Sequence, residues 1–301
     1  MTARFTVLAS GSAGNASLLD VDGFGLLLDC GVGPHVLTER LAAVGRSWAA
    51  VSAVLLTHTH RDHWNRLTLA HLRRLGIPLV AHPDHFAAMA TCREYDPLRR
   101  AGLLRPFSAD EPFALGSALV CRAVEVPHDS APTFGFRIDG RAGLFESAWA
   151  VGYASDVGHP TAELAAAFAG VDVLALEYNH DVRMQRTSRR PQLLIDRVLG
   201  SHGHLSNAQA GELTRAVAEA GNLRAVVQLH LSRECNTPDL ARAAAASALK
   251  HFPETQVVTA SQFVPTPPLD LTPRLARRRP PVRTARCRAS YQPTLPGLEA
   301  G

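Results

Sequence analysis

No Cys-x-x-Cys pair occurs in this sequence, and its five cysteines (Cys30, Cys92, Cys121, Cys235, Cys287) are odd in number and scattered, which argues against a disulfide framework. No apolar run approaches membrane-spanning length. The N-terminal stretch Met1 to Ser10 passes into a Gly-rich turn after a very short apolar run, without the length or cleavage pattern of a secretory signal. These absences predict a reduced, cytoplasmic protein with no membrane partner. A large charge excess is missing too. The net charge is +4, but the segment from Ser261 to Gly301 carries seven arginines against Asp270 and Glu299, a surplus of +5 that leaves the rest near −1. Phosphate attraction in the body must therefore come from local clusters or metal ions, because there is no global field to supply it.

What is present is a chain of 301 residues, 46% hydrophobic and 19% charged, enough for one large or two small globular cores. Strand-like runs (Phe5–Ala9, Ala16–Val21, Gly25–Asp29, Val51–Thr57, Ala118–Val126, Trp149–Ala154, Val171–Glu177, Arg224–Leu229, Gln256–Thr259) alternate with helical stretches near Val36–Val44, Ser206–Ala220 and Pro238–His251. The pattern is α/β, and the polar, His-rich residues fall at strand ends, where such folds keep their chemistry. From Pro265 the Pro- and Arg-rich composition offers no apolar periodicity, so the expected division is a body over 1–264 and a flexible basic tail over 265–301.

The strongest signal is Thr57-His58-Thr59-His60-Arg61-Asp62-His63, directly after the apolar strand Val51 to Leu56. Three imidazoles and a carboxylate crowd one turn, and these donors suit zinc, manganese or iron. His58 and His60, two apart, can share one side of an extended segment, while Asp62 and His63, at the start of the next helix, can face a second ion. Further donors end four other apolar strands: Asp29, His128, Asp156 and His230. Each alone is more often a turn residue, and their recurrence together carries the weight.

The order Asp29, His58-x-His60-x-Asp62-His63, His128, Asp156, His230 resembles the five motifs of the metallo-β-lactamase superfamily. The resemblance implies a four-layered αβ/βα sandwich with two divalent metal ions (zinc or manganese, with iron also suited) at one edge. His58, His60 and His128 would hold the first ion and Asp62, His63 and His230 the second, with Asp156 bridging and Asp29 orienting a ligand histidine. A cysteine takes the place of Asp156 in the β-lactamases of closest ligand type. The 73 residues between Asp156 and His230 leave no room for the β-CASP cap of larger nucleases.

Further segments resemble the YycJ (WalJ/VicX) group of bacterial proteins: Ala9-Ser-Gly-Ser-Ala-Gly-Asn15, Pro127-His-Asp-Ser130, Glu177-Tyr-Asn-His180-Asp-Val182, Gly203-His-Leu-Ser-Asn207 and His230-Leu-Ser-Arg-Glu-Cys-Asn236. That likeness implies a DNA exonuclease acting 5′ to 3′ on duplexes with a metal-bridging hydroxide. Glu177-x-x-His180 and His204 also resemble paired motifs of RNase Z, which would make His204, supported by Glu177, a proton donor or phosphate ligand, with Asp62 and His180 completing the catalytic group. A helix-cap neighbour is the plainer reading of His204. Arg183, Arg186, Arg189 and Arg190 form a cationic loop that could bind backbone phosphates or simply be a solvated face. The Gly11/Gly14 turn lacks the lysine of a phosphate-binding loop and suits a tight hairpin, with Ser12 or Asn15 as substrate contacts. In the tail, Gln292-Pro-Thr-Leu-Pro-Gly-Leu298 resembles short peptides that dock on the bacterial sliding clamp. The alternatives to a nuclease are a small-molecule ester or cyclic phosphodiester hydrolase with the same metals, and a regulatory or adaptor protein with a structural metal site.

Overall fold

In a computed structural model, which describes residues 2–130, 132–141 and 147–272, the chain forms two seven-stranded mixed sheets packed face to face with helices outside. The N-terminal half supplies β1 (Ala3–Ala9), β2 (Ala16–Val21), β3 (Phe24–Leu28), α1 (Pro34–Ala43), β4 (Val51–Leu55), α2 (Arg66–Leu75), β5 (Leu79–Ala81), α3 (Pro83–Met89), α4 (Tyr95–Arg100) and β6 (Leu104–Pro106). The other half supplies β7 (Phe113–Leu115), β8 (Leu119–Glu125), β9 (Phe134–Arg141), β10 (Ser147–Ala154), α5 (Ala162–Ala167), β11 (Val173–Glu177), α6 (Val182–Arg186), α7 (Gln192–Leu199), α8 (Asn207–Glu219), β12 (Ala225–Leu229), α9 (Pro238–Ala248) and β13 (Gln256–Thr259). A final short strand, β14 (Leu269–Asp270), closes the first sheet. The strand orders are β14-β1-β2-β3-β4-β5-β6 and β13-β12-β11-β10-β9-β8-β7.

The period-2 geometry of a strand explains the layering. Leu26 and Leu28 of β3 point into the core between the sheets, and Leu27 points out beneath α1 and α2. Val173 and Ala175 of β11 likewise face inward while Leu174 and Leu176 lie under α5, α8 and α9. Both faces being covered, these strands read as unbroken apolar runs. The result is the four-layered sandwich expected from the sequence.

The body extends beyond its expected end at 264. Thr266 N donates to Val7 O at 2.9 Å, Leu269 pairs with Phe5, and Leu271 is fully buried in the inter-sheet core. A lone strand of two residues carries no periodicity, which is why composition alone assigned it to the tail. The tail from 273 on, including the clamp-like peptide and Cys287, lies outside the described residues. Cys30, Cys92, Cys121 and Cys235 are all free thiols, and among the described residues no helix is long and apolar enough to cross a membrane.

Candidate metal centre

The C-terminal ends of β3, β4, β8, β10, β11 and β12 meet at one edge of the sandwich, and each delivers a polar side chain there. A strand sends its side chains up or down into the layers, so reaching across the edge requires a change of backbone direction. Asp29 (φ +61°), Asp156 (φ +58°) and His230 (φ +52°) make it by entering the left-handed region just past their strands. Each such residue costs on the order of 1 kcal/mol, an expense tolerated where the side-chain direction matters.

His58, His60 and His128 converge, with their nitrogens within 4.8 Å of one another. Asp62, His63 and His230 form a second such group, and Asp156 joins His58 and His63 in one further group and His230, Glu177 and His204 in another. All seven residues expected to bind metal are thus brought to one place, with Asp156 between the two triads. His128 donates from Nδ1 to the Gly203 carbonyl at 2.9 Å, which orients the ring with Nε2 facing His60. Asp29 stands 2.7 Å from His63 Nδ1 and fixes a proton on that nitrogen.

The residues fit divalent cations on two counts. Nε2 of His58 is buried with no hydrogen-bond partner among the described residues, an arrangement that costs about 1–3 kcal/mol unless something accepts its lone pair. The carboxylates of Asp29, Asp156 and Glu177 are buried and demand positive charge. Burial pulls His63 down, but Asp29 and Asp156 overcome it and push its pKa up to about 10. His230 is held well above the ordinary value against the same burial by Asp156, Asp62 and Glu177. His58, with imidazoles around it, is driven well below by burial and His63. A cation supplies the charge that protons supply here.

Glu177 ties the second triad to the sheet: Oε1 lies 2.7 Å from His204 Nδ1 and 3.2 Å from His230 Nδ1, and Oε2 accepts from Val157 N and Leu205 N. Despite burial, these contacts draw its pKa down to about 2. His204 precedes α8, whose capping box between Ser206 and Gln209 fixes the turn, and from that place beside the cap its Nδ1 also lies 3.3 Å from Asp156. Its pKa is raised, burial being outweighed by Glu177 and Asp156. His180 is buried, and burial lowers its pKa to about 4. Its Nδ1 has no hydrogen-bond partner among the described residues.

Several expectations are corrected by the geometry. Asp62 and His63 lie in a turn, and α2 begins only at Arg66 behind an Asn65 cap. Asn15 is 2% exposed, accepts from Gly11 N and places its amide 3.1 Å from His63 Nε2 and 3.4 Å from Asp62 Oδ2. It braces the centre from behind and is closed to substrate, whereas Ser12 is exposed on the same turn. The arginine segment is no simple loop: Arg183 and Arg186 lie on α6, exposed like Arg189. Arg190 is spent on Glu234 at 3.0 Å and Ser232 at 3.4 Å. Two further residues not expected from the sequence join the centre: Thr57, whose hydroxyl touches Asp29, His58 Nδ1 and His63 Nδ1, and Asn179, which holds the His230 carbonyl at 2.9 Å. Thr57 sits inside the motif and was legible there, while nothing local marks Asn179.

Residues 25–230 match the family described as "Beta-lactamase superfamily domain". The chain is 29% identical over 245 residues to a protein named exodeoxyribonuclease WalJ of Streptococcus pneumoniae, covering 79% of this chain and 85% of the relative. It is 27% identical over 250 residues to one named exodeoxyribonuclease YycJ of Bacillus anthracis, covering 83% and 90%. Among solved structures, the metallo-β-lactamase fold protein YhfI from Bacillus subtilis superposes with a TM-score of 0.63 at 18% identity, over 88% of this chain and 99% of that one.

Proposed function

Since the chain belongs to the beta-lactamase superfamily and is a metal-dependent hydrolase, we propose that its substrate is DNA, degraded from the ends with the 5′ to 3′ polarity on duplexes that the resemblance implies. The convergence of Asp62, His63, His58, His60, His128, Asp156 and His230 at one edge carries the reading, and the two exodeoxyribonuclease relatives support its DNA specificity.

In this reading His58, His60 and His128 hold one cation, Asp62, His63 and His230 hold another, and Asp156 lies between. Two divalent ions held by these residues would supply a nucleophilic water near neutral pH and would neutralise the oxygens of an in-line phosphoryl displacement. Asp29 keeps one proton of His63 on Nδ1, so that the proton a cation would displace is the one on Nε2. Glu177 keeps His204 protonated on the nitrogen it touches and raises its proton affinity. The other nitrogen of His204 is thereby placed to give a proton to the departing oxygen. The exposed Arg183, Arg186 and Arg189 draw the strand toward the edge, and the basic tail adds non-specific DNA attraction.

Purified protein loaded with manganese or zinc should shorten end-labelled linear duplex DNA and spare closed circles. His60→Ala should remove that activity by at least 100-fold with an unchanged circular dichroism spectrum. A metal-loaded wild type inert on nucleic acids but active on bis-p-nitrophenyl phosphate would move the assignment to small esters.

A further inference from the structure

Arg197 has no part in the cation-facing triads, yet it is anchored beside them. From α7 its Nε donates to Asp129 Oδ2, and the other oxygen of that carboxylate lies 3.4 Å from His128 Nε2 and 3.6 Å from His60 Nε2. The guanidinium therefore stands one carboxylate away from the first triad. Just over half of the Arg197 side chain, 53%, is open to solvent, and neither Nη atom donates a hydrogen bond among the described residues. The hydrogen bond to Asp129 is the main cause that holds its pKa above the ordinary arginine value, and Asp156 and Asp62 add to it, so the group lies within the field of the centre itself. Arg190 differs in being spent on Glu234.

A planar fork fixed at one nitrogen and open at two is shaped for a bidentate oxyanion, which a point charge on a flexible stem is not. An oxyanion seated at the triads would occupy the metal edge, and the next anion along a nucleic-acid strand is the adjacent phosphate. We propose that Arg197 binds the phosphate next to the scissile one, donating from both Nη atoms while Asp129 holds Nε. Asp129 is a positioning residue in this arrangement. The consequence is a preference for substrates with at least two consecutive phosphates over isolated diesters. This rests on the DNA reading given above and specifies how that site selects a chain.

The test compares manganese-loaded wild type, Arg197→Ala and Arg197→Lys on linear duplex DNA and on bis-p-nitrophenyl phosphate, with kcat and KM measured across a range of salt concentrations. Arg197→Ala should lower kcat/KM on DNA by about 10–100-fold, a loss at least tenfold greater than on the small diester and expressed mainly in KM. The logarithmic salt dependence should become shallower by about 0.9, the value for one phosphate contact. Arg197→Lys should restore the salt dependence while recovering only part of kcat/KM, because the charge returns without the fork. An active wild type whose Arg197→Ala variant keeps its kcat/KM on DNA, or loses equally on both substrates, overturns the inference and leaves the exonuclease reading standing. A wild type inert on DNA overturns that reading, and the inference with it.

Discussion

Asp29→Asn exchanges one carboxylate oxygen for an NH2 group at a fully buried position and puts the orientation of His63 to the test. One carboxylate oxygen faces His63 Nδ1 at 2.7 Å, and the other accepts from Thr57 N at 2.9 Å and the Thr57 hydroxyl at 3.0 Å. Two oxygens thus serve three donors on two residues, and asparagine has one oxygen. If the amide keeps its oxygen on Thr57, its NH2 meets His63 Nδ1 and the imidazole proton is driven to Nε2, the nitrogen that faces Asp156 at 2.8 Å and the second triad. If the oxygen turns to His63 instead, the Thr57 N–H loses its acceptor in a site closed to water. The first arrangement puts a proton on the nitrogen that faces the cation and the second leaves a buried hydrogen bond unmade, either costing about 1–3 kcal/mol, equivalent to roughly 10–100-fold in cation affinity. Backbone strain does not confuse the result, since asparagine enters the left-handed region that Asp29 occupies at φ +61°. The assay is titration of metal-free protein with zinc or manganese against a chromophoric chelator, paired with thermal unfolding with and without metal. Both arrangements weaken one cation and lower the metal-free Tm at neutral pH, because the Asp29 charge that pairs with protonated His63 is gone, and the second lowers the Tm further. A variant that binds every ion within twofold of wild type at an unchanged Tm refutes the argument.

Metal and pH are linked through the same ring. Burial lowers the proton affinity of His63, but Asp29 and Asp156 raise its pKa from 6.5 to about 10, so in the metal-free protein this stabilisation is complete below about pH 6.5 and is lost as pH rises toward 10. Cation binding displaces that proton, so the Tm gap between loaded and metal-free protein should widen over the same interval, reaching about 2.7 kcal/mol of added stability at 100 times Kd; a gap independent of pH in calorimetric scans would count against the carboxylate-paired imidazole. Gly31→Ala should damage the second triad selectively, because a Cβ there overlaps the Asp62 carbonyl and stands 2.9 Å from Asn15 N, while metal–ligand distances tolerate only about 0.2 Å. Metal analysis should show that variant retaining cation at the histidine triad and losing it beside Asp62, and wild-type stoichiometry and affinity would contradict it.

The α/β character was legible because most of the longer strands declare themselves locally, whereas the two-sheet sandwich came from the resemblance and the short strands β6, β7 and β14 carried no signal. Leu26 to Leu28 and Val173 to Glu177 are apolar on both faces, and the donors follow such runs, which is where an α/β protein exposes side chains at an edge. The cluster from His58 to His63 was legible for the same reason, with spacing and composition lying within seven consecutive residues. The sequence marked Asp29, His128, Asp156 and His230 only as strand-end residues, and their assembly came from resemblance. In the structure that assembly depends on three of them adopting left-handed backbone, a choice that no local periodicity records.

What the sequence determined by itself, then, was the longer strands and the helices near α1, α8 and α9, the donor types and the turn that concentrates them, because these follow from periods of two or 3.6 residues and from side-chain chemistry. The tertiary structure alone decided partnership. Asn15 turned inward to brace Asp62, Glu177 came to serve both His204 and His230, Arg190 was neutralised by Glu234 while Arg197 was held at the centre by Asp129, and Leu269–Asp270 joined β1 across more than 260 residues of chain. The physical reason is range: a side chain's face is set by its neighbours in sequence, but its partner is set by sheet order and loop closure.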